Sequence, residues 1–322
     1  MNYFIFGGSG FIGTHLVNLI SEKYPNSTIY NLDIKENNHS GKSVFIYCDV
    51  IEKIDIKVSV YPEDIIFNFA AVHTTPGHPD HEYFETNIKG AENVTAFAEK
   101  HNIKKLLFTS SIAPYGASEE IKTEITLPMP NTPYGISKLV AEKIHMIWQI
   151  KKDTERQLTI VRPGVVFGKG ENGNFTRLYW GIKKHRFFYP GRKDTIKASI
   201  YVKELVNFML YRIEMDKADV EIYNCTYEPA FTIEEISNAM MKATGMKRTI
   251  YKIPGGTLKF AAGVIGVLGG RSFGIHPDRV KKLMISTNIS GKKLKDSGYK
   301  FQYSFDEALK DWYKDNDNLY LK

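Results

Sequence analysis

The 322-residue chain predicts an α/β fold, a doubly wound parallel sheet with a smaller C-terminal lobe. Three observations lead there. Short apolar runs bounded by turn residues alternate with helical stretches through the first half, the pattern of parallel strands joined by crossover helices. The first run is followed at once by a glycine cluster and an amphipathic segment. The second run ends in an acid, Asp33, 20 residues beyond the last of those glycines.

Taken in order, Met1 to Phe6 is short and apolar and reads as a buried strand. Gly7-Gly-Ser-Gly-Phe-Ile-Gly13 follows, and Thr14 to Ser21 continues as a helix. Gly8, Gly10 and Gly13 satisfy the dinucleotide fingerprint; Gly7, Gly10 and Gly13 satisfy its wider-spaced variant. Glycines permit the tight turn and let backbone N–H groups, here those around Phe11 and Ile12, approach a pyrophosphate at the helix N-terminus. Thr28 to Leu32 is the next strand and sets Asp33 where a carboxylate accepts hydrogen bonds from an adenosine ribose. That carboxylate repels a 2′-phosphate, so NAD is favoured over NADP. Lys35, the counter-signal, reads as a solvated loop charge.

Ser43 to Cys48, Asp64 to Phe69, Lys105 to Ser110 and Leu158 to Val161 supply four more strands, and Glu82 to His101 and Tyr134 to Lys151 the main helices. Thr132-Pro133 is a helix start, with a capping hydroxyl and a proline at the first helical position. Tyr134 and Lys138 then lie four apart on one helix face. An ammonium beside a phenol favours the phenolate, which suits Tyr134 to acid/base work near neutral pH.

With GGSGFIG, Asp49-Val50, Asn68-Phe-Ala-Ala71, Ser110-Ser111, Tyr115-Gly116 and the Tyr134-Gly-Ile-Ser-Lys138 stretch in this order, the chain resembles the extended short-chain dehydrogenase/reductases, and among them the nucleotide-sugar epimerases, dehydratases and 4-keto reductases. The resemblance implies a Rossmann domain and these roles. Tyr134 is the acid/base at a sugar hydroxyl, Lys138 holds the nicotinamide ribose and lowers the tyrosine pKa, and Ser111 bonds the same sugar oxygen. Asp49 and Val50 contact adenine, Ala70 and Ala71 line the pyrophosphate and ribose, and His73 faces the cofactor ribose or the substrate. Asn87 has a supporting role. In the substrate end, Asn174 and Lys197 contact the sugar diphosphate, Lys197 standing where arginine is frequent.

Departures from the pattern narrow the chemistry. The dehydratases carry an acid pair after the active-site hydroxyl, whereas this chain has Ile112 and Ala113. Proton shuttling at carbon by a Cys and a His is disfavoured, since Cys48 and Cys225 both fall in strand-like runs and read as buried thiols. What remains is hydride transfer at C4 of a nucleotide-linked sugar: a 4-epimerase first, a 4-keto-6-deoxy-sugar reductase second. A dinucleotide-sensing regulator without catalysis is the rival of another class, and the Ser111, Tyr134, Lys138 set speaks against it.

The expected division is a dinucleotide domain over 1–168 and mainly a substrate lobe over 169–322, with segments returning to the first domain. The net charge of +7 suits an anionic ligand, but the lysines are dispersed and lack the basic, aromatic-laced strip of a nucleic-acid binder. His73, His78 and His81 lie in a proline-interrupted loop and read as a lid without metal. Phe260 to Gly270 is apolar but shorter than the about 20 residues a bilayer span needs; it reads as a buried helix, with a membrane-touching segment or a lid over the substrate as alternatives. Met1 so close to a strand leaves no room for a signal peptide, and two cysteines fit the cytoplasm. The two long helices resemble the pair that forms a four-helix dimer interface in the family, which implies a homodimer.

Overall fold

The computed structural model describes residues 1–37, 41–73, 77–254 and 284–322. The expectation for Phe260 to Gly270 lies outside the described residues. In chain order the elements are β1 (Asn2–Phe6), α1 (Phe11–Lys23), β2 (Thr28–Asp33), β3 (Val44–Tyr47), β4 (Ile65–Asn68), α2 (Asp80–Lys100) and β5 (Lys105–Thr109). A 3₁₀ turn at Ala113–Tyr115 leads to β6 (Ser118–Lys122), α3 (Pro133–Ile150), β7 (Gln157–Pro163), β8 (Val165–Phe167) and α4 (Asn174–Lys183). Then come β9 (Tyr189–Pro190), β10 (Ile196–Lys197), β11 (Ser199–Tyr201), α5 (Val202–Glu214), β12 (Val220–Cys225), β13 (Phe231–Thr232) and α6 (Ile233–Ala243). The described chain closes with β14 (Lys252–Ile253), β15 (Thr287–Ile289), α7 (Lys292–Asp296) and α8 (Phe305–Lys314).

Seven strands form one parallel sheet in the order β12-β7-β5-β4-β1-β2-β3. Its central strands are apolar on both faces because both are covered. β4 is buried at all four positions, as parallel sheets require. One face packs Leu16, Val17 and Ile20 of α1 with Leu205, Phe208 and Met209 of α5. The other packs Val94 and Phe97 of α2 with Ala141 and Trp148 of α3. The strand order reverses beside β1, whose neighbours are β2 and β4, and that switch point opens a crevice at the carboxyl ends of the strands.

A second core gathers Phe167, Phe175, Tyr227, Phe305 and Trp312 beneath α4, α6 and α8. The two lobes are not cut at one point in the sequence. β12 returns to the large sheet beside β7, with Val220 to Cys225 in register against Leu158 to Pro163.

Candidate active site

The glycine turn is set by contacts that leave no space for side chains. Gly7 adopts φ +78°, and a Cβ there would stand 2.7 Å from the Ala70 nitrogen. A Cβ on Gly13 would stand 2.5 Å from the Gly7 carbonyl oxygen, so α1 seats on the turn at a distance only glycine allows. Gly10 is the N-cap of α1 and no side chain caps the helix, which leaves the first-turn N–H groups of Phe11, Ile12 and Gly13 facing the crevice end. Asp33 Oδ2 accepts from the Ser9 N–H at 3.0 Å and Oδ1 from the Lys35 N–H at 3.2 Å, fixing the carboxylate beside the turn. Asn31 and Asn37 also brace it, through Ser9 Oγ and Thr14 Oγ1, both at 3.0 Å. Sequence reasoning missed these two amides.

The Cys48 N–H bonds the Asp33 carbonyl at 3.0 Å, which brings Asp49 and Val50 to the same sheet edge. Asp49 Oδ1 accepts from the Ile51 N–H at 3.0 Å, and Val50 is buried against Gly90. Burial pushes the Cys48 thiol up to about 11 and raises Cys225 as well, so both stay protonated. Ala70 and Ala71 follow β4 directly opposite Gly7. His73 bonds the Ala71 backbone and is held below the ordinary histidine value, first by desolvation and then by the charge of Lys138. These residues fit a dinucleotide: a helix end open to an anion, a glycine wall for close approach, and a fixed carboxylate at the tip of β2.

Thr132 Oγ1 accepts from the Gly135 N–H at 3.1 Å and caps α3, with Pro133 in the first turn. Tyr134 therefore sits in the opening turn, with the Ser111 hydroxyl acting on its phenol and its ring 6.2 Å from that of Tyr83. A Cβ on Gly135 would lie 2.8 Å from the Ala113 carbonyl, so the Ser111 turn rests directly on this end of the helix. In the free chain the expected depression of the tyrosine pKa is absent. Burial raises Tyr134 above the ordinary phenol value, the Ser111 hydroxyl opposes this, and Tyr83 adds to it. Lys138 does not offset the burial because its ammonium lies elsewhere, 4.2 Å over the Phe108 ring. Lys138 is itself 2 % exposed, and burial pulls it down to about 7 against the pull of Glu142.

That shift makes a prediction. Above about pH 7 Lys138 in the free chain is neutral, so a ligand that needs the ammonium must take up a proton on binding. NAD affinity is expected to fall by up to about tenfold per unit as pH rises above this point and to level off below it. Calorimetry at pH 8 in buffers of different ionisation heat should read that uptake, and Lys138→Met should abolish it. Equal heats in all buffers for the wild-type chain would refute it.

Two buried networks hold these groups. Asn87 Oδ1 accepts from the Val72 N–H at 2.9 Å, and its Nδ2 donates to Val72 O at 3.1 Å and to Ser137 Oγ at 2.8 Å. One amide thus ties the loop after β4 to the Tyr134 helix. Behind it, Arg162 grips Glu142 through two bonds of 2.8 and 2.6 Å. Arg162 also donates to Tyr115 OH at 2.6 Å, which donates to Asn224 Oδ1 at 2.9 Å. Glu142 went unnoticed in the sequence, although it stands one turn beyond Lys138. Its partner lies 20 residues away.

The substrate-end residues make contacts of their own. Asn174 opens α4 and its Oδ1 accepts from Arg177 Nη2 at 2.9 Å. Lys197, on β10, donates to the Ile285 carbonyl at 2.6 Å, and burial lowers it to about 8. His78 pairs with Glu82 at 2.7 Å. No group of three or more His, Cys, Asp or Glu able to hold a metal occurs among the described residues.

A family model described as "NAD dependent epimerase/dehydratase family" matches residues 3–226. The chain belongs to that family. NAD is accordingly its cofactor and enzymatic hydride chemistry its class, in agreement with the resemblance read from the motifs. Among curated relatives of this epimerase/dehydratase chain, an N-acetyl-alpha-D-glucosaminyl-diphospho-ditrans,octacis-undecaprenol 4-epimerase of Escherichia coli O157:H7 is 29% identical over 316 residues, 96% of this chain and 93% of that one. A UDP-glucose 4-epimerase of Lactobacillus helveticus is 29% identical over 76% of this chain and 82% of its own. The fold is shared with a UDP-N-acetylglucosamine 4-epimerase from Methanobrevibacter ruminantium M1, solved with UDP-N-acetylmuramic acid (TM-score 0.75, 20% identity, 97% of each chain). It is shared too with MoeE5 in complex with UDP-glucuronic acid and NAD (TM-score 0.73, 18% identity, 98% and 100% covered).

Proposed function

We propose that this chain is an NAD-dependent 4-epimerase of a sugar carried on a diphosphate. The observation that carries the reading is the placement of Tyr134 in the first turn of α3 against the Ser111 turn, with Ile112 and Ala113, not acids, in the next positions. NAD, when bound, supplies a reversible hydride acceptor. Tyr134 takes the proton of the C4 hydroxyl and later returns it to the same oxygen, once the keto-sugar has rotated and the C4 hydride would have come back on the opposite face, while Ser111 holds that oxygen. Lys138 orients the nicotinamide ribose, Asp33 the adenosine ribose, and the α1 N-terminus the pyrophosphate. Asn174 and Lys197 are the proposed contacts of the substrate diphosphate.

The family's nucleotide sugars give the first substrate reading, a uridine diphosphate hexose. A second reading has its own support: the relative that matches 96% of this chain takes, by its name, a sugar diphosphate on undecaprenol. Helices α2 and α3 pack against each other, and Ile136, Ile147 and Ile150 expose one stripe of α3. That stripe supports a homodimer, which the mass in solution tests.

The test is to denature freshly purified protein, identify the released dinucleotide, and assay uridine diphosphate hexoses and their polyprenol-linked counterparts for C4 inversion. Near-equimolar NAD with inversion is the expected result. An empty site that consumes added NADPH with a 4-keto-sugar would replace the epimerase with the reductase.

A further inference from the structure

Between β6 and α3 the chain runs Ile125-Thr-Leu-Pro-Met-Pro-Asn-Thr-Pro133, a stretch without a charged residue. Ile125, Leu127 and Met129 alternate along it and are 96%, 78% and 74% exposed. Ile125 stands in a turn closed by the Thr126 N–H on the Thr123 carbonyl at 3.0 Å, Leu127 and Met129 follow in irregular chain, and Thr126, Pro128 and Pro130 beside them are half-buried. The end of the segment rests beside the active site. Pro130 lies where a Cβ on Gly135 would meet it at 3.1 Å, beside Tyr134, and the Met129 carbonyl lies against Gly116. The prolines also deny the segment the N–H donors of a ladder strand.

Single exposed apolar residues are ordinary, but three in alternation on an uncharged rim of an active site form a patch. The nearby carboxylates are engaged. Glu119 accepts from Ser286 and pairs with Arg192, Glu120 pairs with Lys122, and Glu124 accepts from the Asn224 N–H.

We infer that this rim docks on the surface of an anionic bilayer, with Ile125, Leu127 and Met129 entering the boundary between head groups and acyl chains. The inference rests on the polyprenol reading above, since a sugar diphosphate on that carrier presents its head at the membrane surface. The whole-chain net charge of +7, dispersed over the surface, favours an anionic over a neutral surface. No described helix is long and apolar enough to cross a membrane, so the contact is a shallow one.

The experiment is sedimentation of the NAD-loaded protein with vesicles of phosphatidylcholine, alone or with about a quarter phosphatidylglycerol. Wild-type protein is expected to partition onto the anionic vesicles. The variant Ile125→Ser/Leu127→Ser/Met129→Ser should lose about tenfold or more of that partition while keeping its NAD and its turnover of a uridine diphosphate sugar. A second variant, Leu127→Trp, should shift its fluorescence to the blue on vesicles, a readout independent of lost binding. Wild-type protein left in the supernatant, a serine variant that binds as well as wild type, or an unshifted tryptophan would overturn the proposal. So would a serine variant that only loses mass in solution, which would mean that the rim joins copies of this chain. Vesicle binding through the rim with no inversion of any diphosphate-linked sugar would instead sink the epimerase reading and leave the docking surface standing.

Discussion

Phenylalanine in place of Tyr134 is expected to lower kcat about 10²–10⁴-fold while NAD remains bound. The phenol stands in the first turn of α3 against the Ser111 turn, and the next side chains, Ile112 and Ala113, can move no proton. The substitution removes one oxygen and keeps the ring that packs near Tyr83 at 6.2 Å, so the fold and the glycine cradle stay intact. Steady-state kinetics on the preferred sugar, with the bound dinucleotide counted in parallel, checks this. Turnover within a few-fold of wild type would remove Tyr134 from the chemistry. Because burial raises the phenol in the free chain, the residue enters the cycle protonated. The phenolate needed to accept the C4 proton must then be favoured by what binds around it, including a Lys138 ammonium recruited from its place over Phe108.

The second large effect concerns stability. Arg162 and Glu142 are 3% and 0% exposed in their side chains, and their two-bonded pairing lies under the active-site helix. Arg162→Met leaves the Glu142 carboxylate buried without its fork, at an expected cost of about 3–5 kcal/mol and a fall in Tm on the order of 10 °C. Arg162→Met/Glu142→Leu should recover most of that loss, because a well-packed apolar pair avoids the desolvation of both charges. Urea unfolding of the three proteins at one pH measures both steps. A single variant within about 1 kcal/mol of wild type would mean that water reaches the pair and that it behaves like a surface bridge. Glu142 also favours the charged form of Lys138, so the single variant should raise the lysine's pKa and the double variant should lower it.

The parallel sheet was legible in the sequence because buried strands write themselves as apolar runs: β1, β4 and β5 have almost no polar position to hide them. The glycine turn and Asp33 were legible for a different reason. Their spacing is imposed by the reach of one ligand across one turn and one strand. β6 was not legible, since Ser-Glu-Glu-Ile-Lys is a sheet-edge strand half open to water and its residues look like a loop. The Glu142–Arg162 pair was hidden because pairing across 20 residues depends on how α3 lies on β7, which no local pattern encodes. Where the Lys138 ammonium rests was not legible, on similar grounds. Helical spacing sets which face carries the ammonium, but the Phe108 ring on a neighbouring strand decides where it rests.

The return of β12 to the large sheet has a consequence for how the chain is born. When the ribosome has delivered residue 163, six of the seven strands exist, yet α5 and β12 are still to be made. Until then Leu16, Val17 and Ile20 of α1 lack Leu205, Phe208 and Met209, their partners on that face. At ordinary synthesis rates of about 5–20 residues per second, that apolar face waits seconds for its cover. The nucleotide half is therefore no free-standing module that finishes first and receives a lobe afterwards. Its last strand arrives with the middle of the lobe's sequence, so the sheet beneath the crevice is completed only as that lobe is made.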